Sequence, residues 1–404
     1  MAALPPNPPA PSSSPLEAEG GAKMLGNTPP LPKRFFEGFN ELRALAALAV
    51  LAYHAEIYQY LLGMRPGYEA VGMHLVWVNV GRSGVHLFFT LSGFLITYLL
   101  CAERQNQGTI HFRHFYFRRV LRIWPLYYWV LGLSVAVLPV ATHIWPAFFN
   151  QVPFLAEGVF WPTKHGLKVL GFFTFIAPNI AINIPNGNIT GANQGWSIGV
   201  EEQFYLLWPF LLMLPRRWFV GALVVLAALC ISFEYWADLL FNQMGFHPFA
   251  RKAVGAVLYF QYMCFGAGAA LLVFYRHAAF ARLSQWHYLP WLLVPCLLIG
   301  MVSSQAQAAT GVGFALLVAM LAMRPGMFRV KWFAHLGGIS YGLYMYHSLV
   351  MYVVLGALLS VKGMSSFSFG LWFYVLTLGL TYGVAWLSYH YLEARFLRLK
   401  HKFE

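Results

Sequence analysis

Long apolar runs alternate with short polar clusters along nearly the whole chain, from about residue 39 to residue 392. A membrane-spanning helix needs about 20 apolar residues, and ten runs reach or approach that length. They predict helices over 39–61, 84–103, 117–139, 196–214, 218–236, 253–275, 286–303, 306–323, 333–356 and 370–392. The widest gap, 140–195, predicts an outer loop. The segment near 167–181 inside it is too short to span comfortably and predicts a re-entrant or interfacial stretch. Residues 1–33 break the pattern. They are rich in Pro, Ser, Gly and Ala and lack the basic and apolar regions of a signal peptide, which predicts a disordered cytoplasmic tail.

Basic residues punctuate alternate gaps. Lys33 and Arg34 precede the first predicted helix; Arg104, Arg113, Arg118 and Arg119 follow the second. Further groups follow the fourth (Arg216, Arg217), the sixth (Arg276, Arg282) and the eighth (Arg324, Arg329, Lys331). A short basic tail, 397–404, follows the tenth. Cytoplasmic loops carry such an excess of Lys and Arg, so both termini are predicted on the cytoplasmic side.

Composition agrees with an all-α polytopic membrane protein of about ten transmembrane helices. The chain is 59% hydrophobic and 10% charged, where soluble domains carry about 25% charged residues. The formal net charge of +13 would suggest nucleic acid in a soluble protein. Here it reads as loop topology, with a lipid bilayer as partner and no nucleic acid. Cys101, Cys230, Cys264 and Cys296 are scattered without a metal-binding or disulfide pattern, and no metal site is predicted.

Ionisable residues inside spans are expensive and are functional candidates by default. The stretch "NELRALAALAVLAYHAEIY" holds two, Arg43 and His54. Eleven residues make close to three turns, so both side chains face one side of the helix, roughly 16 Å apart along the axis. Arg43 could simply snorkel to headgroups, and His54 could be a satisfied core residue. In "FRRVLRIWPLYYW", Arg119, Arg122 and Pro125 share one face, and Arg122 is deeper than an anchor requires. In "GWSIGVEEQFYLLWPF", Glu201 is the acid expected to face inward with Trp196 and Ser197, while Glu202 suits the outer surface. In "HLGGISYGLYMYHSLVMYVV", Ser340, Tyr344 and His347 form one polar stripe, with Tyr341 on another face. Ser92-Gly93 could be a packing notch, a reading that suits Gly93 above all. By depth, His54, His86, Glu201 and His347 are expected in the outer half, and Arg43, Arg119 and Arg122 in the inner part.

Five blocks, "LRALAALAVLAYH", "GVHLFFTLSGFLI", "RRVLRIWPLYY", "GWSIGVEEQFYLLWP" and "LGGISYGLYMYH", stand in order between about residues 38 and 395. In them the chain resembles the integral membrane acyltransferases of family 3 type, the O-antigen and polysaccharide O-acetylase group. The resemblance implies a membrane acyltransferase domain over 34–396 with a ten-helix core. It implies transfer of an acyl group, usually acetyl, from acyl-CoA to a hydroxyl of a glycan, with no tightly bound cofactor, in a bacterial inner membrane. It also implies that Arg43 and His54 are required, and points to Arg119, Arg122, Glu201 and His347. The chain departs from the family at Asn40-Glu41, where Asp-Gly is common, at His86, where an acid is usual, and at Arg395, where proline is usual.

The two readings together make His54 the candidate base, since histidine titrates nearest neutral pH, or else the group that takes the acyl itself and passes it on. Glu201 or His347 would orient it or bind sugar hydroxyls. Arg43, Arg119 and Arg122 would hold phosphates, and Trp196, Ser197, Ser340 and Tyr344 would complete the substrate wall. The rival from another class is a transporter or flippase of lipid-linked sugars, which needs the same intramembrane charges.

Overall fold

A computed structural model describes residues 36–65, 71–161, 171–172, 188–243, 257–275, 282, 307–324 and 326–403. Every regular element among them is helical. The main helices are α1 Phe39–Leu61, α2 Met73–Gln107 and α3 Phe112–Ile144, then α4 Gly195–Met213, α5 Arg216–Gln243 and α6 Phe260–Phe274. They are followed by α7 Gln307–Met323, α8 Lys331–Gly338, α9 Ser340–Leu359 and α10 Ser366–Lys400. Among the described residues, five stretches are long and apolar enough to cross a membrane: α2, α3, Arg216–Phe233 of α5, α9 and α10.

The predicted helices at 39–61 and 196–214 are present as α1 and α4, although neither is among those five. α1 carries Glu41, Arg43, His54 and Glu56 in 23 residues, which lowers its hydropathy. Such a helix is tolerated because protein, rather than lipid, surrounds it: α1 packs on α2, α8 and α9. The predicted span 286–303 and most of the segment 167–181 lie outside the described residues, as do residues 1–33.

One predicted helix is broken in two. The span expected over 333–356 becomes α8 and α9, separated at Ile339, whose ψ of 12° leaves the helical region. Gly337 and Gly338 have low helix propensity. The Gly337 backbone also lies directly on α1, since a Cβ there would come within 1.8 Å of Asn40 O.

Bare backbone contact sets the spacing of the central layer. Gly93 of α2 faces Met263 of α6, and Gly266 of α6 faces Thr90 of α2; a Cβ at either would stand about 2 Å from the opposing carbonyl oxygen. Small residues permit this approach where helices cannot rely on a hydrophobic driving force between them. Gly93 therefore belongs to a packing notch, as expected. At the far end of α1, Glu56 is buried but fully engaged. Arg65 forks it through Nε and Nη2 at 3.0 and 3.1 Å, and the Tyr374 hydroxyl of α10 donates to it at 2.6 Å.

Two π-turns interrupt otherwise continuous helices, Leu133–Val137 in α3 and Tyr389–Glu393 in α10. Each adds a residue to one turn and re-aims everything beyond it. Pro125 sits inside α3 without ending it, as neighbouring helices allow in membrane proteins.

Gly93→Ala is expected to destabilise the protein by about 1–3 kcal/mol or more through overpacking, read as a lower unfolding temperature in detergent. Gly221→Ala, where nothing lies within 4 Å of the added carbon, is expected to leave it unchanged or higher. Equal behaviour of the two variants would remove the notch from the account of stability.

Candidate active site

α1, α2, α3, α4, α9 and α10 enclose a cavity of about 250 Å³. α1 contributes Arg43, α3 contributes Arg118, Arg119 and Arg122, and α10 contributes Lys400. Glu201 is the acid among its lining residues, with Ser92, Ser197, Tyr205, Ser340, Tyr341 and Tyr344 as further polar groups. Phe88, Phe89, Leu95, Ile96 and Ile198 form apolar walls. Arg43, Arg119, Arg122, Ser197, Glu201, Ser340 and Tyr344, seven residues singled out in the sequence, thus meet around one space.

The arginines are held loosely by the protein itself. Arg43 donates from Nη1 to Asn40 Oδ1 at 3.0 Å. Arg119 lies between the rings of Phe115 and Tyr205, with its guanidinium carbon 5.7 Å from each centroid, and its buried Nε has no hydrogen-bond partner. Arg122 is exposed although it lines the cavity, so the space reaches the protein surface there. Cationic forks with spare donors at an open cavity suit a phosphate-bearing ligand.

Glu201 stands among these cations. Ser92 Oγ donates to Glu201 Oε1 at 2.6 Å and accepts from the Tyr205 hydroxyl at 3.2 Å. The expected grouping of Glu201 with the histidines is therefore corrected: it is grouped with the arginines. Six residues into α4 is about 9 Å of rise, which carries Glu201 away from the end where Ser197 meets Tyr344. Trp196 is the second correction. It is not among the cavity-lining residues, and its ring packs on Phe89 and Tyr259 at 6.3 and 5.0 Å. One residue, about 100° of helix turn, separates it from Ser197.

His54 and His347 lie beyond the cavity and touch each other. His347 Nε2 is 3.3 Å from His54 Nδ1, with ring centroids 4.8 Å apart. His54 Nδ1 is also 2.9 Å from Val50 O, and His347 Nδ1 bonds Tyr344 O. A carbonyl oxygen only accepts, so both Nδ1 atoms carry the proton in the neutral rings. The single His54 Nδ1–H is then shared between Val50 O and the lone pair of His347 Nε2, with Val50 O the nearer acceptor. That leaves His54 Nε2 unprotonated and available as a base or nucleophile. His347 is 1% exposed, while His54 keeps partial exposure.

Tyr344 joins the two parts. Its hydroxyl lines the cavity and bonds Ser197 Oγ at 2.8 Å and Gln194 O at 3.2 Å, while its ring lies 5.8 Å from that of His347. The polar stripe of Ser340, Tyr344 and His347 is thus one wall, with Ser340 and Tyr344 on the cavity and His347 behind. His86 is elsewhere, buried and stacked on Tyr262 with centroids 3.8 Å apart. Among the described residues no group of three His, Cys, Asp or Glu could hold a metal ion.

Five polar lining residues escaped sequence reasoning in this role: Ser92, Arg118, Tyr205, Tyr341 and Lys400. Ser92 was hidden by its neighbour, because a Ser-Gly pair signals packing. Tyr341 does pack on a neighbour, donating to Ile123 O at 2.8 Å, but it lines the cavity as well.

A family model described as an acyltransferase domain matches residues 36–390. The chain is 26% identical over 390 residues to YrhL of Bacillus subtilis (strain 168), whose name provisionally marks it a peptidoglycan O-acetyltransferase. That alignment covers 89% of this chain and 54% of YrhL. Over 186 residues the chain is 27% identical to the peptidoglycan O-acetyltransferase OatA of Listeria monocytogenes, covering 46% of this chain and 25% of OatA. The chain thus spans about half, or less, of the length of these relatives. No solved structure matches.

Ser92→Ala removes the hydroxyl that bridges Glu201 and Tyr205. It is expected to lower stability by about 1–3 kcal/mol, because a buried carboxylate oxygen loses its donor. Thermal unfolding in detergent checks this, and an unchanged midpoint would show that water replaces the serine.

Proposed function

We propose a donor, an acceptor class and a route of transfer for this chain, which belongs to the acyltransferase domain family and is an O-acyltransferase of the membrane. The donor is acyl-CoA, with acetyl as the acyl group. The acceptor is a hydroxyl of a glycan at or beyond the membrane. OatA is named for peptidoglycan, and peptidoglycan is one member of that acceptor class. The reading includes a ten-span domain with both termini in the cytoplasm, in a bacterial inner membrane. Membership of an enzyme family weighs against a transporter or flippase.

The observation that carries the proposal is the placement of two unlike sites along α1. Arg43 lines a cation-rich cavity, and eleven residues further on the same helix His54 pairs with His347. About 16 Å of rise separates them, a span suited to a long flexible thioester arm anchored by its phosphates. Arg43, Arg119 and Arg122 hold the phosphates. Ser197, Ser340 and Tyr344 line the way towards the histidines.

In the reaction, His54 Nε2 takes the proton of the acceptor hydroxyl as its oxygen attacks the thioester carbonyl. A carbon–oxygen bond forms, the carbon–sulfur bond breaks, and the proton passes from His54 to the departing thiolate. His347 is a positioning residue: together with Val50 O it accepts the His54 Nδ1–H, and it holds the ring in place. Glu201 counters the arginines and orients Ser92 and Tyr205.

His54→Ala is expected to lower acyl transfer by about a hundredfold or more, the usual contribution of a general base. Thiol release from acetyl-CoA by membranes supplied with glycan acceptor measures this, with insertion and unfolding temperature checked in parallel. Transfer at the normal rate by a correctly inserted variant would remove His54 from the chemistry.

A further inference from the structure

The last turn of α10 brings a lysine to the cavity that neither its position in the chain nor the basic tail explains. Four basic residues stand near the end of the chain, Arg395, Arg398, Lys400 and Lys402. Arg395, Arg398 and Lys402 are exposed, as topology-setting charges should be. Lys400 is half-buried and lines the cavity beside Arg118, Arg119 and Arg122. The π-turn at Tyr389–Glu393 re-aims the helix that carries it.

The segment is fastened in this position. Arg118 Nη1 donates to Phe403 O at 2.8 Å, while Arg118 Nη2 pairs with Glu103 at 2.9 Å. The ring of Phe403 stacks on Phe117 of α3, with centroids 4.9 Å apart and planes 8° from parallel. These contacts hold the end of α10 along α3 at the level of the arginines. Five cationic side chains and one acid, Glu201, then line the same space. A single carboxylate or monophosphate does not call for five cations. A ligand with several phosphates does.

We propose that Lys400 is a binding residue for the polyphosphate portion of the donor, completing the cationic wall from the C-terminal end of the chain. This rests on the reading of acyl-CoA as donor. Lysine suits a rim position, because its ammonium is a compact charge on a flexible stem that can follow a phosphate rather than fix its plane. The side chain acts on capture of the donor and not on the transfer step, which takes place at the histidines.

The test compares two donors in the purified full-length protein: acetyl-CoA and S-acetyl-pantetheine, which has the thioester arm but no phosphate. Lys400→Gln is expected to raise KM for acetyl-CoA about three- to tenfold with kcat little changed, the signature of lost uniform binding. KM for S-acetyl-pantetheine is expected to stay at the wild-type value, and Lys400→Arg to recover most of the loss. An unchanged KM for acetyl-CoA overturns the proposal. So does an equal rise for both donors, which would make Lys400 a packing residue. If the wild-type protein uses neither donor, the donor reading itself falls and this inference with it; the wild-type control separates that case from failure of Lys400 alone.

Discussion

Arg43 stands on a helix enclosed by other helices, where hydrocarbon could do nothing to solvate its guanidinium. A charge at such depth is tolerated only if protein or water surrounds it, and much of the architecture answers to that requirement. α1 packs on α2, α8 and α9 rather than presenting its polar face to lipid. A cavity beside Arg43 reaches the protein surface at Arg122, and Glu201 supplies opposite charge within it. The tight glycine contacts between α2 and α6, and between α8 and α1, hold the enclosing helices close. The same polar load explains why α1, the helix on which the proposed site is built, fails a test of length and apolarity that lipid-facing helices pass.

What was legible in the sequence follows from how local each feature is. The period of an α-helix alone places Arg43 and His54 on one face, and Arg119 and Arg122 on another. Each of these, with His347, could be flagged because an ionisable group in an apolar run is conspicuous. The contact of His54 with His347 joins residues 293 apart, and no periodicity within one helix contains it. Depth was harder. Glu201 near the start of α4 looked as though it shared a level with the histidines, yet about 9 Å of rise into the bundle brings it to Ser92. Ser92 and Gly93 show the finest-grained limit. They are adjacent, but 100° of helix rotation sends Gly93 to Met263 and Ser92 to Glu201. Lys400 was visible only as one charge in a basic tail, because a π-turn has no signature in hydropathy.

The separation of the two sites has a chemical logic. The phosphates of the proposed donor need cations, and the cavity is lined by five basic side chains. A thioester meeting an activated hydroxyl needs water kept away, since water near the base would compete as acceptor. His347 is nearly sealed and His54 is half-buried, and Tyr344, tied to Ser197 and Gln194, stands between His347 and the cavity. One helix can serve both needs because three turns carry it from one environment to the other without changing the face it presents. Spacing of the arginine and histidine by a whole number of turns is therefore a structural requirement of the arrangement. A shift of one residue would rotate His54 about 100° away from His347, removing the second acceptor of its Nδ1–H while leaving Arg43 at the cavity.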